Sequence, residues 1–277
     1  MTTLSRLLPC LLAALVIACG TSKANTADSA SDSTTRGVHA DLAGAGATFP
    51  YPLYARWFNE YAQRTNVRIN YHSVGSGDGI KRMLDGSVDF GATESPMTDA
   101  ELASSPAPII HIPTILGAVA ITYNLPELKR PLNLSGEVLA DIFLARITRW
   151  NDAKLVALNP GVALPSSAVQ VVHRSDASGT TFVFSDYVSA VSERWRSAPG
   201  KARQLEWPAG VGGAGNEGVA GQVKQAVGSI GYVEVVYARQ NRLPVAHVRN
   251  KAGNFISPMP FEIEAAAAGT GAAGNDD

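Results

Sequence analysis

Val169-Gln170-Val171-Val172-His173-Arg174-Ser175-Asp176-Ala177-Ser178-Gly179-Thr180-Thr181-Phe182 passes from a β-branched run, through small polar residues, into a helical pattern. Val169 to Val172 predict a strand. Ser175 to Gly179 predict a loop. Thr180 to Val191 predict a helix with Phe182, Val183, Tyr187 and Val191 on one side. The same order occurs upstream. Val67, Ile69 and Tyr71 alternate with polar residues, Gly75-Ser76-Gly77-Asp78-Gly79 interrupts, and Ile80, Met83 and Leu84 fall at helical spacing. Val88-Asp89-Phe90-Gly91-Ala92 then reads as a second short strand. Strand, glycine-rich turn, helix, strand is a βαβ unit, so the fold class is α/β with parallel strands.

Around these units, Ser135 is placed to cap a helix carrying Val138, Leu139, Ile142 and Phe143. Ile109 to Tyr123 is almost wholly apolar but contains Pro113 and Gly117, which predicts buried extended segments crossing between two lobes. Lys251-Ala252-Gly253-Asn254 predicts a hairpin turn between Val245–Val248 and Phe255–Ile256. The chain has 277 residues, 45% of them hydrophobic and 17% charged, enough for a large core and too apolar for global disorder. With 23 Lys and Arg against 24 Asp and Glu, the net charge is −1. That balance offers no electrostatic footprint for nucleic acid or for a basic membrane-surface protein.

The N-terminus reads as a targeting segment. Arg6 precedes the apolar run Leu7 to Ile17, which is too short to span a bilayer, and Val16-Ile17-Ala18-Cys19-Gly20 ends it. Residues 1–18 are thereby predicted to be a lipoprotein signal peptide with Cys19 as the lipidated residue; the alternative is a plain cleaved signal with an incidental Cys. Residues 19–39, rich in Ala, Ser and Thr, predict a flexible tether. Residues 265–277 predict a disordered tail. The two cysteines, Cys10 and Cys19, both lie in the leader region, so the body is expected to have neither a disulfide nor a thiolate nucleophile.

Several motifs fail on context. Gly213-Ala214-Gly215-Asn216-Glu217-Gly218 fits a dinucleotide fingerprint, but Leu205-Glu206-Trp207-Pro208-Ala209 ahead of it makes a poor strand, leaving a surface loop before a helix. The histidines at 39, 72, 111, 173 and 247 lack metal-ligand spacing. Neither a Walker lysine nor a nucleophile elbow is present.

Three segments share another design: Gly44-Ala45-Gly46-Ala47-Thr48-Phe49, ahead of a helix with Leu53, Trp57 and Tyr61, then Gly75–Gly79, and Asp176–Thr180. Each sets small residues and a hydroxyl at a helix N-terminus, where N–H groups and the helix dipole favour an anion. Any one of them alone reads as a simple N-cap; three in one chain point to an anion site. Arg174 supplies a planar fork suited to an oxyanion, and Asp176, two residues on, can hold that fork.

At Gly44-Ala-Gly-Ala-Thr48-Phe49-Pro50, Val88-Asp-Phe-Gly-Ala92, Arg174-x-Asp176-x-Ser178-Gly179-Thr180-x-Phe182 and Ile230-Gly-Tyr-Val-Glu234 the chain resembles the periplasmic phosphate-binding proteins (PstS family) of bacterial phosphate ABC transporters, from about Leu42 to Pro258. The resemblance implies a two-lobed, periplasmic-binding-protein-like (type II) fold with a ligand cleft between the lobes. The expected boundaries are a first lobe over 40–115, a second over 116–240 and a partial return segment over 241–264. It also implies that the protein is not an enzyme, uses no cofactor, binds inorganic phosphate and delivers it to ABC permease subunits. A lipid anchor would hold this monomer at the periplasm or cell surface. The family's ligands fall on Thr48, Phe49, Ser76, Arg174, Ser178, Gly179 and Thr180, with Asp176 orienting the Arg. Glu94, in Ala92-Thr93-Glu94-Ser95-Pro96, stands where the family has Asp and is expected to accept the proton of HPO₄²⁻. The family continues well past the stretch matched by Ser257-Pro258, so the C-terminal part of the first lobe is expected to be truncated. Two alternatives are a binder of another tetrahedral oxyanion, such as sulfate or arsenate, and an exported phosphoryl hydrolase.

Overall fold

The glycines and alanines of β1 (Asp41–Gly46) let other backbone come close on both sides of it. This computed structural model describes residues 41–269. The expected signal segment (1–18), the expected tether (19–39), the expected lipidation residue Cys19 and residues 270–277 lie outside the described residues. Helix α1 (Tyr51–Thr65) follows β1 and ends at Asn66, whose left-handed backbone turns the chain into β2 (Arg68–Ser73). Next come α2 (Ser76–Leu84), β3 (Phe90–Ala92) and the short α3 (Asp99–Ala103), which carries a Thr98–Glu101 capping box. The three strands form one parallel sheet in the order β2-β1-β3, as the βαβ reading requires, with β1 inserted between the other two. Tyr54 and Phe58 of α1 meet Tyr71 and Phe90 on the sheet in an aromatic cluster.

From 104 to 118 the chain is irregular. Ile110 and Ile112 are 78% and 70% exposed, so this part of the apolar run is not buried as expected. Its burial begins only where sheet pairing does, at β4 (Val119–Tyr123). β5 (Asn133–Leu134), α4 (Gly136–Phe143), α5 (Ala153–Leu158), β6 (Gln170–Arg174), α6 (Gly179–Val191), α7 (Glu193–Ser197), β7 (Val211–Gly213), α8 (Gly215–Gln225), β8 (Ser229–Glu234) and α9 (Val235–Gln240) follow. A four-stranded sheet orders as β4-β8-β6-β7, with β4 antiparallel to β8 and the remaining pairs parallel. Every residue of β8 is buried, as befits an inner strand covered on both faces. The largest core surrounds Phe143, Trp150, Leu155, Phe184, Trp195 and Tyr232. Ser135 caps α4 by accepting from the N–H of Val138.

β9 (His247–Arg249) and β10 (Phe255–Ile256) form the expected hairpin, and β9 also pairs in parallel with β5. Ala246 and Val248 pack there against the large core, which sets the position of this segment. One difference from the sequence reading concerns the end of the chain. Residues 265–269, expected to be disordered, complete helix α10 (Pro260–Gly269); the run Ala265–Ala268 has the strongest helix propensity of any residue type.

Candidate functional site

β6 ends at Arg174, whose side chain is buried. A buried guanidinium needs a partner, and Asp176 meets it along two bonds: Nε donates to Oδ1 at 2.8 Å and Nη2 to Oδ2. Burial alone would push the Asp176 carboxyl up. Its hydrogen bonds and charge pairing with Arg174 outweigh that effect and hold it below the ordinary carboxylate value. The backbone N–H of Gly215, at the start of α8, donates a third bond to Asp176, 3.0 Å long.

Past Asp176 the chain enters α6. Ser178 is the N-cap, its Oγ accepting from Thr181 N–H at 3.1 Å. The Thr180 hydroxyl is the junction of the cluster. It donates to Oε1 of Glu94 at 2.6 Å and accepts from Arg174 Nη1 and Asn216 Nδ2, each at 3.2 Å. From α2, the Ser76 hydroxyl donates to the other Glu94 oxygen at 2.6 Å. The Glu94 carboxylate thus bridges a hydroxyl at the start of α2 and one at the start of α6. It also lies against Gly179, where a Cβ would stand 2.3 Å from Glu94 Oε2 and 2.5 Å from Ser76 Oγ; only glycine lets the two helix starts come this close. The starts touch directly as well, through Gly77 N–H to Ala177 O at 2.9 Å. Thr93, not Glu94, makes the side-chain bonds of the turn before Pro96, leaving Glu94 for the cluster.

Thr48, from the first glycine loop, is reached through Asn216, whose Nδ2 donates to the Thr48 hydroxyl at 2.7 Å. The Tyr237 hydroxyl donates to Thr48 O at 2.6 Å. The structure therefore gathers Thr48, Ser76, Glu94, Arg174, Asp176, Gly179 and Thr180 from widely separated stretches. Ser178 supports the cluster as a cap. The Phe49 ring lies against Gly117, aside from the hydrogen-bonded group. His173 turns to the core, stacked on Trp207, and burial pushes its imidazole below its ordinary value.

Asn216 escaped the sequence reading. It lies in the glycine pattern of 213–218, which reads as a surface loop. The strand ahead of that pattern is β7 itself, which pairs with β6, so Asn216 is wholly buried at the start of α8 and its Oδ1 accepts from Glu234 N–H at 2.8 Å. The available signal was a further strand–glycine–helix junction, set beside β6 by sheet order. Arg203, which bonds Ser95, Pro96 and Glu101, has no local signal in the sequence.

An α/β molecule whose helix N-termini converge on one buried polar cluster has the form of the PBP superfamily domain, whose profile matches residues 23–274. Phosphate-binding protein PstS of Pasteurella multocida is 47% identical over 228 residues, 82% of this chain and 66% of that protein. Its counterpart in Haemophilus influenzae is 45% identical over 227 residues, 82% of this chain and 67% of the relative. The chain belongs to the PstS family of phosphate-binding proteins, and it spans about two thirds of the length of these relatives. A high-affinity periplasmic phosphate-binding protein solved with phosphate shares the fold, with a TM-score of 0.63 at 23% identity over 82% of this chain and 67% of that one.

Proposed function

We propose that this protein binds inorganic phosphate as HPO₄²⁻ in the cluster around Thr180 and hands it to the permease of an ABC importer. The observation that carries the reading is the meeting of Ser76, Thr180, Arg174 and Glu94, drawn from both sheets, with the starts of α2 and α6. Hydroxyls, the guanidinium and the helix N-termini supply donors for the unprotonated oxygens. Glu94 supplies an acceptor for the one O–H. In this reading the Ser76 and Thr180 hydroxyls, now turned to Glu94, turn to the anion. Thr48, Phe49, Ser178 and Gly179 complete the binding set and Asp176 holds Arg174. The bodies over 40–115 and 116–240 act as lobes that close over the ligand by a hinge.

The same reading makes the protein a monomer of the periplasm or cell surface, anchored through Cys19, without a cofactor and without catalytic activity. Among the described residues no helix is long and apolar enough to cross a membrane. Titration calorimetry with phosphate, sulfate and arsenate is the direct test, with phosphate expected to bind tightest. Equal binding of sulfate would favour a general oxyanion binder. Because Ser76 and Thr180 each hydrogen-bond a carboxylate, incubation with a phosphomonoester is the matching control; release of phosphate would establish a hydrolase instead.

A further inference from the structure

Arg203 lies between α7 and β7, on the side of the four-stranded sheet, yet its side chain is bound to the other body. Nε donates to Ser95 Oγ at 2.6 Å, Nη2 to Pro96 O at 2.9 Å, and the two Nη atoms to the two oxygens of Glu101 at 2.6 and 3.2 Å. Ser95 directly follows Glu94 and is buried. Glu101 is held ready by the capping box of α3, accepting from Thr98 N–H at 2.8 Å. In the opposite direction, the Arg203 carbonyl accepts the N–H of Ser178, the cap of α6, at 2.8 Å. One residue therefore grips both halves of the site. Its side chain fixes the segment that carries Glu94, and its backbone fixes the turn that carries Gly179 and Thr180.

The ion pair is unlike an ordinary surface pair, which contributes little because both ends are solvated and mobile. The Arg203 and Glu101 side chains are 18% and 27% exposed, the fork meets both carboxylate oxygens, and four N–H groups are engaged. Hydrogen bonding from Arg203 is also the main reason the Glu101 carboxyl lies below its ordinary value.

We propose that Arg203 is a positioning residue that clasps the closed site: it holds the Glu94 segment against the start of α6 and sets how long a bound oxyanion stays. This inference rests on reading the Thr180 cluster as the phosphate site. Opening must break the clasp, whereas entry into the open form need not, so the effect belongs to the release rate.

The test is rapid-mixing measurement of phosphate association and release on the full chain, comparing wild type with Arg203→Met, Arg203→Lys and Glu101→Gln. Hydrogen bonds to charged groups of this kind predict release about tenfold to a hundredfold faster in Arg203→Met, with association changed less than about threefold. Arg203→Lys should recover part of the loss, since it restores charge without the fork. Glu101→Gln keeps an acceptor for the α3 cap and should still speed release. It should also blunt the acceleration of release by added salt, which a purely structural defect would leave intact. Should Arg203→Met fail to fold, Arg203→Lys and Glu101→Gln carry the same comparison. Release within twofold of wild type in the folded variants overturns the clasp alone. Absence of phosphate binding in wild type overturns the site reading and the clasp with it.

Discussion

Arg174 and Glu94 carry opposite charges to the same threonine hydroxyl, and their replacements test different things. Arg174 is the charged donor of the cluster, bonded at 3.2 Å to Thr180 Oγ1. Arg174→Ala should weaken phosphate binding by roughly tenfold to a hundredfold, the scale of a hydrogen bond to a charged group. Arg174→Lys should recover little, because a point charge can neither pair with Asp176 along two bonds nor present a fork. Calorimetry on both variants reads the difference; wild-type affinity in Arg174→Ala would show that the hydroxyls and helix starts suffice. Glu94 decides selectivity. Its carboxylate can only accept, so it is satisfied by the O–H of HPO₄²⁻ and repelled by sulfate, which has none. In Glu94→Gln the amide can offer an N–H, and the phosphate-to-sulfate affinity ratio should fall by about tenfold or more, mainly through tighter sulfate binding. An unchanged ratio in folded Glu94→Gln would remove Glu94 from the ligand set.

At the scale of an element, the start of α6 and the end of β8 each allow a sharp test. Gly179 opens α6 where a Cβ would press on Glu94 and Ser76. Gly179→Ala suits a helix position, so the fold should persist, with the unfolding temperature lowered modestly by the displaced Glu94 and Ser76 groups. The two helix starts should be forced apart, and phosphate affinity should drop by roughly an order of magnitude or more for a shift of this kind. Affinity equal to wild type would mean that the site does not require this approach. β8 ends in Glu234, where burial pushes the carboxyl up from 4.5 to about 7. Folding thus favours its neutral form. The stabilisation is full below 4.5 and is lost as pH rises through about 7, a difference of up to about 3 kcal/mol. Thermal unfolding at pH 5 and pH 8 should show wild type losing stability with rising pH, and Glu234→Gln losing much less. Asp176 acts in the other sense: its lowered value stabilises the fold above its ordinary 3.8 and withdraws that support as pH falls.

Over the whole molecule, the fold leaves large apolar side chains in contact with water. Trp57 and Tyr61 on α1 are 42% and 46% exposed, and Ile110, Ile112 and Phe261 are more exposed still. Surfaces of this kind promote association. Sedimentation velocity should find a monomer at low concentration that associates as concentration rises, with native protein binding a hydrophobic dye. A single unchanging monomer up to high concentration, with no dye binding, would contradict this expectation.

Local physical chemistry was enough to read the units from which the molecule is built. Alternation and β-branching mark β2 and β6, glycine and hydroxyl residues mark the starts of α2 and α6, and Ser135 marks a cap, because each depends on neighbours within a few positions. Arg174, Asp176 and the glycine-rich segments that hold Ser76 and Thr180 were legible for the same reason, since each lies at the junction of a strand or loop with a helix, whereas the individual ligand set follows only from the family resemblance. Contacts across the fold were not legible. The insertion of β1 between β2 and β3, the burial of Asn216 beside Thr48 and the exposure of Ile110 follow from sheet order and packing. Arg203 meets Ser95 and Glu101 across more than a hundred residues of chain. No periodicity or spacing encodes such a meeting; it exists only after the tertiary fold has brought the segment after β3 and the loop before β7 side by side with complementary charges.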